Sequence, residues 1–312
     1  MSAVVYTEAL PAASLAGVVR CYWSIEGVLP SGVTVANRVL PDGCMDVIFN
    51  LADEPSGGIG TLPEPGYVVG AMLEAFVVGL RGRVDVIGVR FQPGAAGAYL
   101  GVPATELTAR SVGLSEIRRE GRTLAERMYE AGDTPTKRMY EAGDVDRMYE
   151  AGDTVASTDP SAGWPAAAAT VARQRLRNRA TLLDQMLEAG HRGDPDPLVA
   201  EAVRRIESSH GTVAVADIER VLRVSARTLT RRFAAAVGIA PKTACRVARL
   251  QAAASEIRRD PAASLARIAV RTGFHDQPHL NRDFMDLARV TPAGYAREAR
   301  DGFIQDDTAS DV

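Results

Sequence analysis

The most informative segment of this 312-residue chain is residues 273–284, which read GFHDQPHLNRDF. Asp276 suits a helix N-cap because its carboxylate can accept the free backbone N–H groups of a first helical turn. Pro278 fits a helix only in that turn, where its missing N–H is not needed. Leu280 and Phe284 are four residues apart and therefore face the same side. The segment predicts a turn followed by a capped helix over 277–287.

A second passage upstream has the same arrangement. Val215–Leu222 has helical apolar periodicity, and Ser225 can cap a following helix in which Leu229 and Phe233 face inward. In the downstream passage Leu265–Arg271 takes the place of the first helix. The chain is therefore predicted to end in an all-α domain, residues 197–300, with two helix-turn-helix motifs.

Polar side chains remain on the outward faces of the two second helices. Arginine can bind the major-groove edge of guanine through two hydrogen bonds, and asparagine or glutamine can bind adenine in the same way. The candidate DNA-contacting residues are Arg227, Thr230, Arg231, Gln277, His279, Asn281 and Arg282, and Asp283 is also predicted to be exposed.

Charge is distributed unevenly along the chain. The whole sequence carries −3, but residues 198–300 contain 18 Lys and Arg against 10 Asp and Glu, a net charge of +8. Basic residues neutralise phosphates and release counterions, which supplies most non-specific affinity for nucleic acid. Double-stranded DNA is the expected partner of this region.

Short apolar runs separated by turn-forming clusters occupy residues 1–120. Pro-Asp-Gly at 41–43 and Pro-Ser-Gly-Gly at 55–58 are such clusters. This pattern predicts a β-rich, barrel-like or sandwich-like domain. The fold class is therefore α+β with two domains, residues 1–120 and 197–300.

The region between the two domains divides into a linker and a helix. Residues 121–165 contain RMYEAGD three times, beginning at Arg127, Arg138 and Arg147, and the unequal spacing argues against a solenoid. We interpret them as duplicated linker sequence, either irregular or in short helical turns that each end at Gly-Asp. A recognition tag is the alternative. Residues 166–190 are predicted to be a linker helix with one narrow apolar stripe, which either packs on its own domain or pairs with a second subunit. Residues 301–312 form an acidic tail.

The carboxy-terminal pattern resembles that of the AraC-type transcription regulators. The resemblance rests on residues 273–284, on VTPAGY at 290–295, and on GIAP at 238–241 followed by Arg249. It implies seven helices, a long helix over 242–258 that joins the two motifs, and two recognition helices that enter successive major-groove segments. Arg289 stands where the family commonly has glycine, and the position is expected to require a positive φ.

The front domain resembles the regulatory domain of a subgroup of these regulators, through residues 40–51, 88–95 and 100–104. The resemblance implies a sensor role with an undefined small-molecule effector. A homodimer is expected, with RNA polymerase as a further partner if the protein is an activator. The alternatives are a regulator without a small ligand, whose front domain only dimerises or binds a protein, and a thiol-based stress sensor that uses Cys44 or Cys21.

Other function classes lack their motifs. The sequence contains no P-loop, HExxH or Gly-x-Ser-x-Gly pattern, so an enzyme is not expected. All four histidines lie outside residues 1–120, so no histidine metal site is expected there, and no cofactor is predicted. No long apolar span or signal peptide is recognisable, which predicts a cytoplasmic protein without a membrane partner.

Overall fold

The computed structural model describes residues 3–51, 65–118, 121–131, 166–190 and 193–301. The strands are β1 (Ala3–Ala9), β2 (Val19–Val28), β3 (Val35–Val39), β4 (Asp46–Asn50), β5 (Gly66–Val69), β6 (Phe76–Leu80), β7 (Arg83–Phe91) and β8 (Ser111–Gly113). The first helices are α1 (Ala96–Leu100), α2 (Leu114–Ile117), α3 (Gly121–Ala131) and α4 (Ala166–Ala189). The later helices are α5 (Pro197–Ser208), α6 (Val215–Leu222), α7 (Ala226–Val237), α8 (Pro241–Arg259), α9 (Leu265–Arg271), α10 (Gln277–Asp283) and α11 (Pro292–Asp301).

The front domain is an open antiparallel sheet with a two-stranded ribbon on one face. Its six strands have the order β1-β2-β7-β4-β5-β8, and β3 pairs with β6. Side chains alternate between the faces of a strand. Trp23 and Ile25 therefore share an apolar cluster with Leu80 of the ribbon, whereas Tyr22 joins the cluster on the other face. The sandwich-like prediction is confirmed, and the described strands do not close into a barrel.

Helix α4 packs on its own front domain. Its apolar stripe is buried, with Leu176 and Leu183 each 1% exposed, in the cluster that also contains Tyr22. Because this stripe is covered within the chain, it is not available to pair with a second subunit. The first of the two alternatives for this helix is the one that the structure adopts.

Buried ion pairs fix the same helix to the sheet. Arg179 binds both carboxylate oxygens of Asp85, at 2.9 and 3.1 Å, and its guanidinium lies 3.5 Å from Glu26. Arg175 donates to Glu26 at 2.7 Å. Burial, aided by the Asp85 charge, raises the pKa of Glu26, and the two arginines oppose that rise. The four groups balance each other's charge inside the domain.

Part of the predicted linker is a helix of the front domain. Residues 121–131 form α3, which contacts β5, α2 and α4. Met128 is fully buried although it lies within the first RMYEAGD copy. The prediction of linker over 121–165 therefore needs correction at its start, because Ala125 and Met128 supply an apolar face to the core. The copies at Arg138 and Arg147 and residues 302–312 lie outside the described residues.

The carboxy-terminal part contains seven helices, α5 to α11, among the residues described. Helix α8 joins its two halves: Cys245 packs in the first apolar cluster, while Leu250 and Ile257 pack in the second. The predicted joining helix over 242–258 is confirmed, with one more residue at each end.

The front domain packs against both halves. Tyr99 and Leu107 share one apolar cluster with Phe233 and Val237 of α7. Ala75, in the turn before β6, belongs to the cluster of the second half. The apolar core therefore runs from the front domain into the helical domain without a break.

Candidate nucleic-acid interface

The first helix-turn-helix consists of α6 and α7. Arg223 ends α6 in the left-handed conformation with a φ of 54°. The Ser225 side chain then accepts the Thr228 backbone N–H at 3.2 Å, so the predicted N-cap is confirmed. Leu229 and Phe233 are fully buried. Burial of this pair fixes which face of α7 is left for solvent.

The predicted contact residues of α7 lie on that free face. Arg227, Thr230 and Arg231 are all exposed. Arg232 instead turns back to Asp196, the N-cap of α5, with two hydrogen bonds of 2.6 and 2.7 Å. These bonds lower the pKa of Asp196. The structure therefore brings the three candidate residues of α7 together on one face. Arg232 instead connects α7 to α5.

The second helix-turn-helix consists of α9 and α10. The Asp276 side chain accepts the His279 backbone N–H at 2.7 Å, which confirms this N-cap and lowers the pKa of Asp276. The predicted helix over 277–287 is α-helical to Asp283 and continues as a π-helical segment, Phe284–Ala288. Arg289 follows with a φ of 54°, as expected for a position that favours glycine.

The contact residues of α10 differ in how far they are exposed. Arg282 is exposed, whereas Gln277, His279 and Asn281 are half-buried. The His279 ring meets the edge of Phe274, with 5.3 Å between ring centroids. Packing against Phe274 fixes this imidazole at the start of the recognition helix. Arg282 is thus the most exposed of the four candidate residues on this helix.

Asp283 is a correction to the sequence prediction. It is 4% exposed and accepts two hydrogen bonds from Arg246 of α8, at 2.7 and 3.1 Å. Arg249, also on α8, has its guanidinium 4.0 Å from the same carboxylate. The periodicity of α10 places Asp283 beside the outward residues, but the partner helix covers it. Asp283 fastens α10 to α8 and is not a DNA contact.

Arg249 belongs to the family pattern described above, and its guanidinium contacts two separate turns of the helical domain. Its guanidinium donates to the Gly211 carbonyl at 2.9 Å, ahead of the first motif. The same group lies 5.6 Å from the centre of the Phe274 ring, in the turn of the second motif. Arg249 therefore holds both turns against α8. This role could not be predicted from the sequence alone, because it depends on two turns that lie far apart in the sequence and come together only in the fold.

Replacing Asp283 with alanine is expected to lower the free energy of unfolding by about 1–3 kcal/mol, because Arg246 loses a buried charged partner. Chemical denaturation followed by circular dichroism measures this change. Asp286→Ala is the matched control, since Asp286 binds the same arginine at 2.9 Å but is 64% exposed. It is expected to cost less than about 1 kcal/mol. Equal losses in the two variants would contradict the fastening role.

A small cavity lies where the turn at 41–43 meets the helical domain. Its volume is about 30 Å³, enough for roughly one water molecule. Its lining includes Asp42, Val203, Glu207, Phe233, Val237 and Val247. In this conformation the cavity has no room for an organic effector.

The cysteines proposed as stress sensors are buried. Burial raises the pKa of the Cys44 thiol, and Arg20 lies 3.4 Å from its sulfur. Cys21 is 5% exposed. Because the thiolate is the reactive form and needs access, these positions disfavour the thiol-sensor alternative.

Within the described ranges, no group of three His, Cys, Asp or Glu residues could hold a metal ion. None of the helices described above has the length and apolar content that crossing a membrane requires.

Solved structures of ToxT from Vibrio cholerae resemble this chain weakly. One is 12% identical, covers 85% of this chain and 97% of ToxT, and has a TM-score of 0.40. ToxT bound to (E)-4-(8-methylnaphthalen-1-yl)but-3-enoic acid is 11% identical, covers 86% and 98%, and has a TM-score of 0.41. ToxT bound to an unsaturated fatty acid is 12% identical, covers 97% and 98%, and has a TM-score of 0.40. Similarity this low does not transfer a ligand to this chain.

Family models match both domains, while no curated protein matches the chain in sequence. Residues 7–113 match a domain of unknown function, DUF6597. Residues 218–298 match a helix-turn-helix domain and include all seven candidate contact residues. With two capped motifs joined by α8, this part of the chain has the structure of a helix-turn-helix domain.

Proposed function

We propose that this protein is a transcription regulator that reads a specific DNA site with α7 and α10. The observation that carries the proposal is the pair of capped recognition helices, each with an exposed arginine face, on the two sides of one connecting helix. Recognition helices of this motif lie in the major groove. Because α8 fixes both, the two helices would enter successive groove segments on one face of the duplex.

Each contact residue has a chemical role in this proposal. Arg231 and Arg282, both exposed, suit bidentate binding to guanine, and Asn281 suits adenine. Arg227 and Thr230 would contact phosphates or base edges beside them. Gln277 and His279 lie in the first turn of α10, where the N-terminal end of a recognition helix meets the bases.

Selecting duplexes from a random pool with the full chain tests this proposal directly. One preferred sequence should emerge, and its affinity should fall steeply as salt rises, because phosphate contacts release counterions. Binding that is equally strong to all sequences would contradict specific recognition.

Replacing Arg231 with alanine is expected to weaken binding to the selected duplex by about 1–3 kcal/mol and to relax selection at the base pair it reads. Fluorescence anisotropy titrations at fixed salt measure the loss. The control is Arg204→Ala, which removes the same charge from an exposed residue of α5 that pairs with Glu201. Unchanged affinity in the Arg231 variant would remove this residue from the readout.

We also propose that a small-molecule effector acts through the front domain, that the protein acts as a cytoplasmic homodimer, and that it contacts RNA polymerase when it activates. Support for effector control comes from front-domain contacts with both helical halves, through which a change could reach both recognition helices. The competing proposal is a regulator without a small ligand, whose front domain only dimerises or binds a protein.

A thermal-shift screen of the full chain separates these two proposals. A compound that raises the melting temperature and also changes DNA affinity supports an effector. If no compound in a broad metabolite library does so while DNA binding is specific, the ligand-free regulator is favoured. Residues 1–120 alone are unsuitable, because the sheet face that α4 covers would then be exposed.

A further inference from the structure

The front domain contacts the carboxy-terminal end of the second recognition helix. The Ala75 backbone N–H donates to the Leu287 carbonyl at 2.6 Å, and Arg38 Nη1 donates to the Ala288 carbonyl at 3.1 Å. Both carbonyls belong to the last residues of the helical segment that continues α10. Carbonyls at this end of a helix have no donor within the helix. The front domain supplies two of the donors that they need.

Side-chain contacts hold the same junction together. Arg38 also binds both carboxylate oxygens of Glu298 on α11, at 2.7 and 2.9 Å. Leu40 and Ala75 are buried in the cluster that contains Phe284 and Tyr295. Two front-domain segments, the end of β3 and the turn before β6, are thus built into the core of the second helical half.

Arg289 is the third connection, and it explains the departure from the family pattern. Its left-handed conformation, with a φ of 54°, costs a non-glycine residue conformational energy. Glycine would avoid that cost but has no side chain. The Arg289 guanidinium forms an ion pair with Glu74, next to Ala75. The residue that is unfavourable for the backbone thus adds a contact with the front domain.

The first recognition helix ends differently. Gly238 terminates α7 in the left-handed conformation, and its N–H donates to the Ala234 carbonyl at 2.9 Å. The front domain packs Tyr99 and Leu107 in the same apolar cluster as Val237, and the Thr108 hydroxyl donates to the Gly238 carbonyl at 2.7 Å, beyond the cap. The cap of α7 is therefore made within its own half, whereas the end of α10 relies on the front domain.

We infer that the front domain caps the second recognition helix, with Arg38, Ala75 and Glu74 as positioning residues, so that its placement controls how firmly α10 is held for DNA. The effect on DNA binding rests on the proposed function, whereas the capping of α10 does not depend on it. Loss of the Arg38 and Ala75 donors would weaken readout by α10 more than readout by α7.

The test compares Arg38→Ala with the wild-type full chain by amide hydrogen exchange without DNA. Exchange at residues 284–290 should become about 3- to 10-fold faster, the size expected for the loss of one or two hydrogen bonds. Affinity for the selected duplex should fall by a similar factor, and discrimination should weaken only at base pairs read by α10. The control is Arg110→Ala, which removes an exposed front-domain arginine that donates to the Glu106 backbone carbonyl at 2.9 Å, and it should change neither exchange nor affinity.

Each outcome decides the inference. Unchanged exchange at 284–290 in Arg38→Ala would overturn it, as would a loss of discrimination spread equally over both recognition helices. If Arg38→Ala does not fold, Glu298→Gln and Glu74→Gln should give a smaller acceleration in the same segment, and its absence in both would overturn capping. If no variant and no wild-type protein selects a duplex, the DNA-reading function fails, while the exchange data still decide the capping.

Discussion

Replacing Arg179 with methionine is expected to lower the free energy of unfolding by about 3–5 kcal/mol. The side chain is 1% exposed and lies between Asp85 and Glu26, so its removal takes away a buried cation that neutralises both carboxylates. Arg175 remains beside Glu26. Methionine approximates the volume of the lost side chain and limits the contribution of a cavity. Urea denaturation followed by circular dichroism gives the change.

Arg177→Met is the matched control for this experiment. Arg177 lies two residues away on the same helix and is exposed, so the same substitution there should change stability by less than about 0.5 kcal/mol. Similar losses in the two variants would show that helix α4 itself, and not the buried ion pairs, responds to the substitution.

Replacing both Arg231 and Arg282 with alanine is expected to weaken specific DNA binding by about 2–6 kcal/mol. Each arginine is exposed on a different recognition helix, and each bidentate base contact contributes about 1–3 kcal/mol. Since the two lie in separate motifs, their effects should add. Anisotropy titrations with the selected duplex measure the specific affinity, and titrations with an unrelated duplex measure the non-specific affinity.

The control for the double variant removes the same charge elsewhere. Arg173→Ala with Arg177→Ala takes two exposed arginines from α4 and should leave the specificity ratio unchanged. If both double variants lose the same affinity for the selected and the unrelated duplex, the loss reflects net charge alone. That result would contradict base readout by Arg231 and Arg282.

The helical domain could be predicted closely because its signals are local. Ser225 and Asp276 each cap a helix through a backbone N–H three residues ahead, which a short sequence window contains. The bounds of α6 and α9 follow from apolar periodicity over a few turns. Three of the seven candidate contact residues lie together on the free face of α7 for the same reason.

Features that depend on distant partners could not be predicted. Asp283 is covered by Arg246, 37 residues away, and Arg38 finds Glu298 at a separation of 260 residues. The choice between a barrel and a sandwich depends on strand order, which alternation within single strands does not reveal. The π-helical segment Phe284–Ala288 could not be distinguished in the sequence from a continuation of the α-helix.

The continuous apolar core limits how the front domain and the helical domain could be exchanged with those of other proteins. Regulators are often engineered by joining the sensor of one protein to the DNA-binding part of another through a linker. Here Phe233 and Val237 pack in the same cluster as Tyr99 and Leu107, so a cut at residues 191–196 would divide one core between two parents. A functional chimera would have to keep the surfaces of α5 and α7 that match the transplanted front domain. In evolutionary terms, the two halves of this regulator are expected to change together.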